Sequence, residues 1–289
     1  MRTLTAALRP QQWIKNLIVF APLVFSLNAG RPAMLLEAAA AFAVFCLAAS
    51  GVYVLNDIID REQDRRHPVK KLRPVASGAL PVAAAGRLAA GLLAASLAVA
   101  VWDGPAVAVA TAVYVANNLL YSLKLKHVVI LDVGSIAFGF VIRVLAGTVA
   151  IGVPASPWLI MCTILLAFFL GFAKRRHEIV LLDGQHADHR AVLGDYSEQL
   201  LDQLIMISAA CTVMSYAMYT VSEKAVHSFG TTELIWTVPF VLYGLFRYLF
   251  LIHRRNSGGN PARVLLTDPP LMIDIVLWLA ACCAIIYHH

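Results

Sequence analysis

Apolar runs long enough to cross a bilayer recur along this chain from residue 14 to residue 287, and no other feature limits its fold as strongly. Hydrophobic residues make up 60% of the 289 and charged residues 14%, which is more apolar side chain than a soluble domain of this length can bury. A bilayer must cover the rest. Allowing ~20 residues per crossing and cutting at charge clusters and Pro/Gly turns gives about nine helices. Their approximate limits are 14–29, 33–56, 82–102, 105–122, 129–151, 157–174, 201–222, 233–252 and 270–287. The expected fold is therefore all-α and polytopic, a single integral membrane domain over 1–289 with no separate water-soluble module.

The five cysteines all fall inside apolar runs and show neither metal-ligand nor disulfide-framework spacing, so they are packing residues. The stretch after Lys15 continues through Pro22 to Gly30 without a small-residue cleavage site, and it is expected to be the first span. Charge fixes the orientation. The long connections carry Arg61, Arg65, Arg66, Lys70, Lys71 and Arg73 after span 2, and Lys174, Arg175, Arg176 and Arg190 after span 6. The opposite face holds Arg31 and Lys224. By the positive-inside rule the long connections are cytoplasmic, with the N-terminus inside and the C-terminus outside in the plasma membrane. The formal charge of +6 then reflects topology and anionic lipid or substrate, and nucleic acid is not an expected partner.

After span 2 the sequence runs from Asn56 and Asp57 through Asp60, Arg61, Glu62, Asp64, Arg65 and Arg66 to Pro68. In a continuous helix residues 56, 60 and 64 stack on one face, with Asp57 beside them. Asp57 with Arg61 and Glu62 with Arg66 have the i,i+4 spacing of ion pairs, whereas Asp60 and Asp64 lack such a partner. Like charges at that spacing cost roughly 0.2–0.5 kcal/mol, so a cation that neutralises the stripe is the natural reading. Mg²⁺ fits, because it takes hard oxygen ligands and bridges one or two carboxylates to phosphate oxygens. A solvated, salt-bridged helix end is the alternative. Against it, the Asn56 and Asp60 face continues from an apolar span and should point into the bundle, where ionisable groups mark a pathway or a site.

Arg143 lies in the middle of an apolar span, where an unpaired guanidinium costs at least ~2.5 kcal/mol, so it needs a polar cavity, a carboxylate or a bound phosphate. Lys15, close to Trp13, is either an interfacial anchor or a ligand. Tyr121, Lys124 and Lys126 end span 4 and Asp132 opens span 5, placing Asp132 as a partner of the metal or of Lys126. Arg247 can snorkel to the surface. Asp183, Asp188, Asp195 and Glu198 belong to a polar connection that could cover the site. The histidines show no metal spacing.

The order Asn-Asp-x-x-Asp-x-x-x-Asp at 56–64, followed by Arg73-Pro74 and Ser77-Gly78, resembles the UbiA superfamily of intramembrane prenyltransferases, and the nine-helix layout agrees. The resemblance extends over nearly the whole chain through Arg9-Pro10-Gln11-Gln12-Trp13-Ile14-Lys15-Asn16, His67-Pro68, Leu125-Lys126-His127, Ile142-Arg143, Ala173-Lys174-Arg175, Phe246-Arg247-Tyr248 and the segment from Gly259 to Asp268. It implies Mg²⁺ held by Asn56, Asp57, Asp60 and Asp64 on a diphosphate, with the lipid chain between helices, and it marks Lys126 as a phosphate ligand. Aromatic prenyltransferases of that superfamily carry a second aspartate-rich motif after helix 6, where this chain has Lys174-Arg175-Arg176-His177-Glu178. A basic replacement suits a second phosphate bound directly.

Phosphoribosyl pyrophosphate has both needs, a diphosphate for the metal and a 5-phosphate for Arg or Lys. Together with these needs, the resemblance implies phosphoribosyl transfer to a polyprenyl phosphate. Asp57, Asp60 and Asp64 would carry the catalysis, and Lys15, Asn56, Arg73, Tyr121, Lys126, Arg143, Lys174 and Arg175 would bind substrate. Prenyl transfer to an aromatic acceptor is one rival. A transporter or flippase is another, although the chain shows no internal repeat. Membrane lipid is a further expected partner, and a homo-oligomer is compatible with the sequence.

Overall fold

The structure, a computed structural model, describes residues 2–66, 68–182, 191–255 and 261–288. The α-helices are α1 (Arg2–Leu8), α2 (Ala21–Phe25), α3 (Pro32–Ile59), α4 (Arg61–Arg66), α5 (Val82–Asp103), α6 (Pro105–Leu123) and α7 (Leu131–Ala150). They continue as α8 (Pro157–Leu182), α9 (Glu198–Thr220), α10 (Glu223–Phe229), α11 (Val238–Arg255), α12 (Pro261–Thr267) and α13 (Pro269–His288). Eight helices among the described residues are long and apolar enough to cross a membrane. Proline opens several of them, at Pro32, Pro105, Pro157 and Pro269, where its missing N–H is no loss and its fixed φ suits the first turn. Gly104, at φ 152°, both ends α5 and starts α6: its N–H goes to Ala100 and its carbonyl accepts from Ala108.

The expected first span differs from the rest. Residues Pro10–Phe20 form a 3-10 helix, followed directly by the short α2. At about 2.0 Å per 3-10 residue and 1.5 Å per α residue the pair extends roughly 30 Å, so sixteen residues reach as far as twenty in an α-helix. The 3-10 form has a packing consequence, since residues three apart eclipse one another. Trp13, Asn16 and Val19 therefore share one line, and each docks: Trp13 Nε1 donates to Ser50 Oγ (3.0 Å), Asn16 Nδ2 to Cys46 Sγ (3.3 Å), and Val19 backs onto Gly147 of α7.

The chain divides into two compact units, the first built on Met1–Ala155 and the second on the helices from Pro157 onward. In the first, α3 is the central element. Ala38, Ala41, Val44, Phe45, Ala48 and Ala49 are buried on it, and these mostly small side chains let backbones approach closely. Ser96 of α5 donates to the Val44 carbonyl (3.0 Å). Asn117 of α6 and Ser135 of α7 exchange two bonds of 3.0 Å. The outward faces are apolar, with Trp102 83% exposed, as lipid rather than water requires. In the second unit α8 packs on α9. Tyr216 Oη takes a hydrogen bond from Trp278 Nε1 of α13 (2.9 Å) and pairs with Thr237 Oγ1 (2.6 Å). Arg247 of α11 grips Asp268 with two bonds, of 3.0 and 2.8 Å, and Asp268 caps α13 through the Leu271 N–H.

Candidate functional site

Asn56, Asp57, Asp60, Asp64, Arg73, Tyr121 and Lys126 gather where the C-terminal ends of α3 and α6 meet the start of α7. Asp60 ends α3 at φ −89°, ψ 5°, so the helix bends there instead of running straight into α4. The backbone bonds from Asp60 to Asn56 and from Asp64 to Asp60 persist through the bend (both 2.8 Å). This geometry replaces the i,i+4 ion pairs read from the sequence. Glu62 contacts Arg65 and Arg61, and the aspartates reach for cations elsewhere in the chain.

Asp57 Oδ1 accepts from Arg9 (2.5 Å) and from Arg73 Nη1 (3.1 Å), and the same Arg73 nitrogen reaches Asp64 Oδ2 (2.6 Å). Asp60 Oδ1 meets Lys126 Nζ (2.5 Å), while its Oδ2 accepts from Asn56 Nδ2 (3.0 Å). The Asn56 carbonyl in turn accepts from Ser122 Oγ (2.9 Å), which ties α3 to α6. Asp57 and Asp64 are buried, and Lys126 is 8% exposed on the 3-10 turn Leu125–His127. Burial raises the Asp64 carboxyl, while the Arg73 guanidinium and the Lys70 charge pull it back down. Asp132, fully buried in the first turn of α7, has the helix-dipole position that suits an anion.

Beneath the aspartates lies a second, cationic layer. The Arg9 guanidinium stands 5.4 Å from the Tyr53 ring, and Tyr53 sits one turn before Asp57 on α3. Deeper still, Arg143 is 5% exposed. Its donors meet Asn16 Oδ1 (2.6 Å), the Gly139 carbonyl (2.9 Å) and Tyr114 Oη (2.9 Å), with its charge 4.6 Å from the Tyr114 ring and 5.2 Å from Phe140. Neutral acceptors and aromatic faces stabilise it, which is the polar cavity that the sequence reading offered beside a carboxylate and a bound phosphate. Lys15 and Tyr121 complete the layer, both within electrostatic range of one another and Lys15 also within range of Arg9 and Arg143.

Lys174 and Arg175 belong to the second unit. They do not lie in a connection, because α8 continues past them to Leu182. Arg175 is fully buried and pairs with Glu178, which Lys174 also approaches (3.9 Å). Arg176 binds Asp202 of α9 (2.5 Å). The covering role expected around Asp183 and Asp188, the His67 position and part of the segment from Gly259 lie outside the described residues. Arg9, Asn16, Tyr53 and Ser122 are the members that the sequence reading did not single out. Arg9-Pro10 was visible as a motif, but its partner Asp57 is 48 positions away.

Asn56, Asp57, Asp60 and Asp64 supply only hard oxygen donors to a cation. Among the described residues no three His, Cys, Asp or Glu side chains close into a metal cage. Oxygen donors of this kind suit Mg²⁺ better than a transition metal, since Mg²⁺ is held by one or two carboxylates together with phosphate oxygens and water.

The profile of the UbiA prenyltransferase family matches residues 17–267. The chain is 34% identical to the decaprenyl-phosphate phosphoribosyltransferase of Mycolicibacterium smegmatis, over 98% of this chain and 92% of that protein. It is 35% identical to the protein of the same name from Corynebacterium glutamicum, over 94% of this chain and 83% of that one. In fold it is similar to a UbiA homologue from Archaeoglobus fulgidus bound to GPP and Mg²⁺, with a TM-score of 0.74 at 20% identity, covering 99% of both chains.

Proposed function

The chain belongs to the UbiA prenyltransferase family, and on that premise we propose that it transfers the 5-phosphoribosyl group of phosphoribosyl pyrophosphate to a polyprenyl phosphate. The observation that carries this reading is the identity of about a third, across nearly the whole chain, to proteins named for that reaction. A lipid phosphate oxygen forms the new bond to the anomeric carbon as the bond to the diphosphate breaks, and pyrophosphate leaves.

Asp57, Asp60 and Asp64, with the Asn56 carbonyl, would hold Mg²⁺, which when bound neutralises charge growing on the departing diphosphate. Each aspartate already has a cationic partner, so the layer is electrostatically close to neutral. With magnesium diphosphate bound, the carboxylates would hold the metal and Arg73 and Lys126 would hold phosphate oxygens, so that ion pairs would be exchanged for ion pairs. The desolvation of these groups is already paid in the folded protein, which is how a preorganised site lowers a barrier. The nucleophile is anionic at neutral pH, so the protein needs no strong general base. Lys174 and Arg175 remain proposed phosphate ligands through their charge. The proposed site faces the cytoplasm, a reading supported by the excess of Lys and Arg expected on that face.

The test uses the full chain purified in detergent with Mg²⁺, radiolabelled phosphoribosyl pyrophosphate and a polyprenyl phosphate. Label should pass into the organic phase, and EDTA or Asp60→Asn should abolish the transfer. A family described by prenyl transfer, with a structural neighbour bound to GPP, makes prenyl transfer the second reading. Transfer from a prenyl diphosphate to an aromatic acceptor, with no phosphoribosyl label moved, would overturn the first in favour of the second.

A further inference from the structure

Lys15 stands out in the cationic layer because it makes no hydrogen bond or ion pair among the described residues. Its electrostatic neighbours are Arg143, Arg9 and Tyr121, two of them cations. A lysine on a flexible stem ordinarily escapes such company by snorkelling to water. Here its helix is pinned on both sides, by Trp13 to Ser50 and by Asn16 to Arg143 and Cys46. Taken as a whole residue, Lys15 is half-buried.

The charge balance of this layer is uneven. Arg9 is neutralised by Asp57. Arg143 is bonded to neutral acceptors, and Lys15 to none, so both positive charges stand uncompensated among the described residues. A phosphate monoester carries about −1.5 to −2 near neutral pH and offers three acceptor oxygens. It matches the missing charge. The residues on either side of Lys15 dock on Ser50 and Cys46, about two and three turns inside the span from Asp57, so this phosphate would lie beneath the aspartates.

We propose that Lys15, in the field of Arg143 and Arg9, is the ligand for a phosphate monoester bound beneath the aspartate layer. Lys15 makes the contact, and Arg143, whose donors are engaged, is a positioning residue that holds Asn16 and adds charge. The choice of ligand rests on the phosphoribosyl-transfer reading, in which two molecules bear such a group: the polyprenyl phosphate and the 5-phosphate end of the donor.

The experiment measures the melting midpoint of the full chain in detergent with Mg²⁺, alone and with farnesyl phosphate, farnesol or ribose 5-phosphate. Wild type should be stabilised by at least one phosphate monoester, and farnesol should not reproduce the effect. Stabilisation by farnesyl phosphate assigns the subsite to the lipid; stabilisation by ribose 5-phosphate assigns it to the donor. Lys15→Met should lose that response, yet melt no lower than wild type without ligand, because it removes an unpaired charge. Lys15→Arg should keep the response. In transfer assays Lys15→Met should raise the KM of the assigned substrate at least tenfold while leaving the KM of the other unchanged. An unaltered response in Lys15→Met, or no response to either monoester in wild type, overturns the subsite even if label is transferred. Lys15-dependent binding in a protein that transfers no label overturns the reaction and leaves the subsite standing.

Discussion

Arg73 holds the aspartate layer together at the residue scale, since one of its nitrogens serves both Asp57 and Asp64. Removing one member of a buried ion pair strands its partner, a loss of about 3–5 kcal/mol. Arg73→Ala is therefore expected to lower the melting midpoint of the metal-free protein clearly. Adding Asp64→Asn should restore part of the loss, because Asp57 keeps its ion pair with Arg9, whereas Asp64 is left with only the more distant Lys70 charge among the described residues. A double-mutant cycle that shows no coupling between positions 64 and 73 would contradict the arrangement. The acidic members of this layer were legible in the sequence, since Asp57, Asp60 and Asp64 follow directly from an apolar span. Their partners were not: Arg9, Arg73 and Lys126 are separated from them by between 9 and 66 positions, and only folding brings them close.

Among the elements, the 3-10 helix Pro10–Phe20 departs furthest from what the sequence suggests, and its fit against α7 depends on a glycine. A methyl group added at Gly147 would fall on the Val19 carbonyl and within 3.3 Å of the Pro22 ring. Gly147→Ala should destabilise by about 1–3 kcal/mol, the usual cost of overpacking, and displace Asn16 from Arg143. Gly86 of α5 provides the contrast, because a methyl there meets nothing within 4 Å. Gly86→Ala should be neutral or stabilise by roughly 0.5–1 kcal/mol through helix propensity. Melting midpoints of the two variants in one detergent check the contrast, and equal shifts would sink it. Hydropathy places a span near residues 14–29 but cannot choose 3-10 over α, because the choice is made by the line of contacts from Trp13, Asn16 and Val19 to α3 and α7.

At the scale of the whole molecule, the sidedness proposed from charge can be checked directly. Lys71 and Lys224 are exposed and lie on opposite expected faces. In a background without the native cysteines, Lys224→Cys should react with a membrane-impermeant thiol reagent in intact cells, and Lys71→Cys only after permeabilisation. The reverse pattern would invert the topology and move the aspartates to the other face. The sequence by itself determined that this is a helical membrane protein, roughly where its spans lie, and which end of them carries the acids, because bilayer thickness and the cost of buried charge act on local stretches of chain. Only the tertiary structure decided the bend at Asp60, the cation that each aspartate meets, the neutral lodging of Arg143 and the lack of an ion-pair partner for Lys15 among the described residues. Those depend on which distant side chains share a small, poorly solvated volume, and nothing local in the sequence encodes that.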